Sequence, residues 1–154
     1  MVIAMLFTTG QLRSAFILTK QQWRSYREAL PPLAKDNGRA ACFTAADLLA
    51  TSVVHRVTVT LAMPLGSFTP VAQGLFALLN NTPWPQVERS SLVLDFAEAR
   101  VELADPERRI ALASVALLVE LSSLVSDLRQ HLLAGVPDPQ RDLAFPPMIA
   151  GARR

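Results

Sequence analysis

The sequence is poor in the residues from which metal and disulfide chemistry is built. It has one cysteine, Cys42, and two histidines in 154 residues. A single thiol excludes an intrachain disulfide framework, a zinc ribbon and any paired-cysteine metal site. His55 and His131 lie 76 positions apart with no ligand-like neighbour, so a metalloenzyme is not expected. Lysine is scarce as well, two against thirteen arginines. A GC-rich genome produces that bias, although the rigid arginine fork also suits phosphate and guanine. Long apolar runs are missing too. Residues 110–121 hold twelve positions with Glu120 among them, too few to span a bilayer. The Val2–Phe7 run has no positive residue before it and no small-residue cleavage site after it, unlike a signal peptide. A soluble, cytoplasmic chain is expected.

What is present is enough for a core. The chain is 51% apolar and 18% charged, with a mean hydropathy of +0.28. Wholesale disorder is thereby excluded, and the length fits one domain or two very small ones. The net charge of +2 conceals an asymmetry. Residues 1–60 carry +4 (Arg13, Lys20, Arg24, Arg27, Lys35, Arg39 and Arg56 against Glu28, Asp36 and Asp47), whereas residues 61–150 carry −4. A basic half followed by an acidic half points to a polyanion facing the first part only.

Proline and glycine punctuate the chain at Pro31-Pro32, Asn37-Gly38, Pro64-Leu65-Gly66, the segment from Asn80 to Pro85, and a proline-rich end from Gly135. Thr8 or Thr9 is placed to cap a short helix through Ala15. Thr19 opens a second over Lys20–Ala29, where Trp23, Tyr26 and Leu30 recur at helical spacing. Phe16-Ile17-Leu18 between them gives a helix-turn-helix. Asp36-Asn37-Gly38, flanked by Leu33 and Ala40–Phe43, predicts a small hairpin tipped by Lys35 and Arg39. Thr44 with Asp47 starts a helix to about Ala62, with a strand over the β-branched run Val53–Thr60 as the alternative. Ser67 is expected to cap a further helix bearing Val71, Leu75, Leu78 and Leu79. In the second half, Leu92–Phe96 and Arg100–Leu103 form a hairpin. Ala113, Val115, Leu117 and Val119 alternate as a third strand, or belong to a helix over 110–121. Ser122 or Ser123 caps a last helix over Leu124–Leu133.

Four segments in this order resemble the DNA-binding domain of the MerR family. They are Thr9-Gly10-Gln11-Leu12, the run from Leu18 to Arg27, Asn37-Gly38-Arg39, and Phe43-Thr44-Ala45-Ala46-Asp47-Leu48. The match covers roughly residues 8–80. The segment Ala29-Leu30-Pro31-Pro32 is shorter than the family's and lacks its glycine. No long heptad helix and no cysteine set follow, so dimer geometry and effector response do not carry over. The expected fold is mainly α with small β content. A winged helix-turn-helix domain (1–80) is followed by a small α+β element (81–134) for dimerisation or partner binding, then by a proline-rich tail (135–154).

The resemblance implies a sequence-specific regulator of transcription, associated with the nucleoid. It would bind double-stranded DNA as a homodimer, with RNA polymerase or another protein meeting the C-terminal half. The helix at about 19–29 would enter the major groove, and a wing at about 33–43 would lie on the backbone. The DNA-binding candidates are Thr19, Lys20, Gln21, Gln22, Arg24, Ser25, Tyr26, Arg27, Lys35 and Arg39. Glutamine reads adenine and arginine reads guanine with paired hydrogen bonds, and Tyr26 would offer its hydroxyl to a phosphate. The alternative for Tyr26 is core packing beside Trp23. For Lys20, Arg24 and Arg27 it is a solvated helix face, and for Lys35 and Arg39 an unpartnered hairpin tip. Cys42 reads as a small buried residue, and Trp84 as a hinge anchor or an exposed hot spot. Asp95, Asp105 and Glu107 read as solvated loop. No constellation of nucleophile, base and orienting group is present, so neither an enzyme nor a cofactor is expected. A second class is an antitoxin or adaptor whose acidic C-terminal half binds a protein.

Overall fold

A computed structural model describes residues 5–35, 40–105, 107 and 115–133. Among them the chain is mainly helical, with a small three-stranded antiparallel sheet. Helix α1 (Thr9–Phe16) and helix α2 (Lys20–Ala29) each begin with a reciprocal capping box. The Thr8 hydroxyl accepts from Gln11 N–H at 3.1 Å while Gln11 Oε1 accepts from Thr8 N–H at 2.8 Å. Thr19 and Gln22 repeat the pattern at 3.1 and 2.9 Å. Each box satisfies two helix-end donors that otherwise lack partners.

Three residues, Ile17 to Thr19, join the two helices. Ile17 ends α1 in the left-handed region, φ 53° and ψ 48°, and Leu18 N–H closes the turn on the Arg13 carbonyl at 2.9 Å. That six-to-one bond is the Schellman pattern. The Arg13 guanidinium braces it by donating to the Leu18 carbonyl at 3.3 and 3.4 Å.

The hairpin expected around Asp36-Asn37-Gly38 needs correction on both flanks. Pro31–Lys35 is a 3-10 helix rather than a strand. Two consecutive prolines fix φ and withhold two backbone donors, which favours a tight helical turn over a ladder. The other flank gives one β-bridge, from Phe43 to Phe7 and not to Leu33. Residues 36–39, which include Arg39, lie outside the described residues.

Helix α3 (Ala45–Leu61) forms through the β-branched run, so the strand alternative is set aside. Val53, Val54 and Val57 are buried there. Burial of such side chains, worth about 1.5–3 kcal/mol each, outweighs a propensity penalty of a few tenths per residue. Thr51 and Thr58 turn their hydroxyls back to helix carbonyls at 2.8 Å, those of Asp47 and Val54. After a 3-10 turn at Leu65–Phe68, helix α4 (Thr69–Asn81) buries Val71, Ala72, Leu75, Phe76 and Leu79. Ser67 lies within that turn and does not cap α4, whose N-cap position is Phe68. Trp84 starts a short helix, α5 (Trp84–Arg89), and is buried.

Strands β1 (Ser91–Asp95) and β2 (Arg100–Ala104) form the expected hairpin, with β3 (Leu117–Glu120) on the other side of β1. Leu92 and Leu94 enter the core, with Val101, Leu103, Leu117 and Val119 packed against it. Helix α6 (Leu121–Leu133) adds Leu124, Val125 and Leu128, while its His131 is exposed. One hydrophobic cluster runs from Phe7 to Leu128 and draws on residues on both sides of position 80. Among the described residues no helix is long and apolar enough to cross a membrane.

Candidate nucleic-acid interface

Helix α2 divides its side chains by face. Trp23 and Tyr26 are buried, and Leu30 beyond the helix end is fully so. Trp23 meets Phe43 edge-on with ring centroids 5.9 Å apart. Lys20, Gln21, Arg24, Ser25 and Glu28 are exposed, and their one- and four-residue spacing puts them on the opposite side. The outward face is thus cationic and amide-rich near the N-terminus, with one acid a turn later. Arg24 and half-buried Arg27 meet Glu28 and Ala34 around a recess of about 270 Å³.

Several candidates are engaged elsewhere. Thr19 and Gln22 are exposed but spend a hydroxyl oxygen and an amide carbonyl on the cap, leaving the threonine O–H and the glutamine NH₂ for other partners. The Ser25 hydroxyl donates to the Gln21 carbonyl at 3.3 Å. Tyr26 is 7% exposed and its hydroxyl lies 3.0 Å from His55 Nδ1. Its placement is the core-packing alternative, corrected from a hydroxyl held out to phosphate.

Lys35 also has a partner that the hairpin reading lacked. Its ammonium lies 2.5 Å from Asp47 Oδ2 and 5.8 Å from the centre of the Phe43 ring. Asp47 is 2% exposed. Besides Lys35 it accepts from Thr44 N–H at 3.0 Å and from Asn80 Nδ2 at 2.9 Å. The Thr44 hydroxyl in turn donates to Asn80 Oδ1 at 2.7 Å. This knot ties the start of α3 to the end of α4 and to the 3-10 helix. Lys35 is therefore the half-exposed counter-ion of a buried carboxylate and not a free tip charge.

The two histidines, far apart in sequence, line one cleft of about 230 Å³ between α1, α3 and α6. Burial holds the His55 pKa below its ordinary value, and the neighbouring Arg56 charge pushes the same way. Burial raises that of Tyr26. The pair is thus neutral on both sides at neutral pH. Arg56 reaches Asp127 at 2.6 Å at the edge of this cleft. Among the described residues no cluster of three or more His, Cys, Asp or Glu side chains is arranged to hold a metal. The sequence marks the Thr44–Asp47 cap but neither the cleft nor the Lys35 and Asn80 partners of Asp47, because those leave no local signal.

Comparison with protein families, curated proteins and solved structures finds no match to the chain.

Proposed function

We propose that the chain is a sequence-specific regulator of transcription that binds double-stranded DNA, a MerR-like winged helix-turn-helix protein with α2 in the major groove. The observation that carries this reading is the exposed face of α2, where Lys20, Gln21 and Arg24 stand free of the core behind a capped N-terminus. Their types match what base edges and phosphates require. Gln21 would read adenine, Arg24 guanine, and Lys20 a phosphate oxygen. Arg27 at the recess would add backbone contacts, and Arg39, outside the described residues, is the remaining candidate for them.

One module of this size neutralises few phosphates, so useful affinity at cellular salt requires two copies on the duplex. The proposal therefore includes a homodimer. A second reading, an adaptor or antitoxin that binds a protein, draws on Leu118 and Val115, which are 60% and 78% exposed at the β3 end of the sheet. RNA polymerase or another protein partner would meet the same end.

The test is selection from a random duplex library with the full chain at low salt. Enrichment of two related half-sites about one helical turn apart, lost with Arg24→Ala, is the expected result. No enrichment from the library, together with co-purification of a stoichiometric protein, overturns it in favour of the second reading.

A further inference from the structure

The cleft between α1, α3 and α6 is the feature least explained by folding. Ile17 and Val59 line it with 85% and 69% of their surfaces in water. Ile17 does so from the left-handed backbone region, which a β-branched residue adopts at a cost. A strained, exposed isoleucine is a poor choice for a turn that asparagine or glycine would serve. It is a good choice for a wall that something apolar is to cover.

The other walls specify what. Phe16 and His55 set two rings 5.6 Å apart at 44°, an aromatic corner. Ser52 brings a hydroxyl from an otherwise buried position. His55 Nδ1 is taken by Tyr26, which leaves Nε2 as its remaining hydrogen-bonding group. His131 Nδ1 lies 2.8 Å from the Asp127 carbonyl, so it donates there, which leaves Nε2 as its remaining hydrogen-bonding group. The charged groups of the cleft, Arg56 and Asp127, cancel each other. A cleft with aromatic and branched walls, hydrogen-bonding groups and no net charge suits a neutral ring compound.

We propose that this cleft binds a small neutral aromatic molecule of one or two fused rings carrying a single hydrogen-bonding group. Its volume of about 230 Å³ sets the size. An apolar cavity of about 150 Å³ admits benzene, whereas drug-sized ligands occupy about 300–1,000 Å³. The assignment does not depend on what α2 binds.

Indole is the probe. The chain has two histidines, so the ring Cε1–H region of the full-length protein's ¹³C–¹H spectrum contains two signals, and both residues line the cleft. Indole is expected to shift both signals saturably. Indole-3-carboxylate and tryptamine, its anionic and cationic relatives, are expected to bind at least about tenfold more weakly, since neither charge finds a free partner. Val59→Trp fills the mouth from an exposed position on α3 and is expected to weaken indole about tenfold or more. Ile17→Asp, which suits the left-handed backbone, places a charge on the same wall and serves if the first variant does not fold. The proposal is overturned if indole leaves both signals unmoved up to its solubility. It is equally overturned if a folded variant binds indole as the parent does, or if either charged relative binds as well.

Discussion

The Tyr26 hydroxyl lies 3.0 Å from His55 Nδ1 and so hangs the inner face of α2 on the middle of α3. Twenty-nine positions separate the two residues. Burial disfavours charge on both rings, raising the tyrosine pKa and lowering that of the histidine. The folded chain therefore favours the neutral form of His55.

The consequence is a pH dependence with a definite sign. A histidine whose folded pKa is depressed binds a proton more readily in the unfolded chain. Its stabilising contribution is complete above the unfolded value of about 6.5 and is lost as pH falls toward the folded pKa. Urea unfolding at a series of pH values should show stability declining below about pH 6.5. His55→Gln should flatten that decline. A decline unchanged in His55→Gln would refute the assignment to His55.

The Asp47 knot predicts an unequal pair of mutants. Asp47→Ala removes a buried acceptor and strands Thr44 N–H and one N–H of the Asn80 amide, at a cost of about 2–4 kcal/mol. Lys35→Met removes an ammonium that is 44% exposed, and the carboxylate keeps its other bonds, so its cost is about 1 kcal/mol. Equilibrium denaturation of both variants checks the ratio. Lys35→Met costing as much as Asp47→Ala would show that the ion pair, not the capping and amide bonds, dominates.

Relief of strain at the α1–α2 turn should raise stability. Ile17→Asn keeps the turn in a conformation asparagine tolerates and gives up little burial, since the isoleucine side chain is 85% exposed. A gain of about 1 kcal/mol is expected, read as a higher urea midpoint with an unchanged slope. A loss of stability instead would mean that Ile17 packs against something in solution.

The legible parts of the fold are those with a local chemical signature. Thr19 with Gln22, and Thr44 with Asp47, mark helix starts because each pair satisfies its own end donors. The spacing of Trp23, Tyr26 and Leu30 marks the buried face of α2 for the same local reason. Proline was harder to read. Pro83 and Pro85 look like a boundary between elements, yet they occupy the N-cap and second position of α5, where a missing N–H costs nothing. Pro31-Pro32 likewise looks like a boundary, yet it starts a 3-10 helix that takes in Leu33, the expected flank of the hairpin. At the site, the outward residues of α2 were legible from periodicity. The partners of Lys35 and Tyr26 were not, because Asp47 and His55 reach them from another helix, and a single sequence carries no trace of that pairing.

The central claim, that the outward face of α2 meets a nucleic-acid backbone and bases, is tested most directly by the salt dependence of duplex binding. The full chain would be titrated onto a selected duplex by fluorescence anisotropy from about 50 to 200 mM salt, where each phosphate contact contributes about −0.9 to the log–log slope. Lys20→Ala with Arg24→Ala should weaken binding and make the slope shallower by about 1 per lost phosphate contact in each protomer. Lys35→Met, whose charge is turned inward to Asp47, should leave the slope unchanged. A double variant with the parent's affinity and slope would contradict the account.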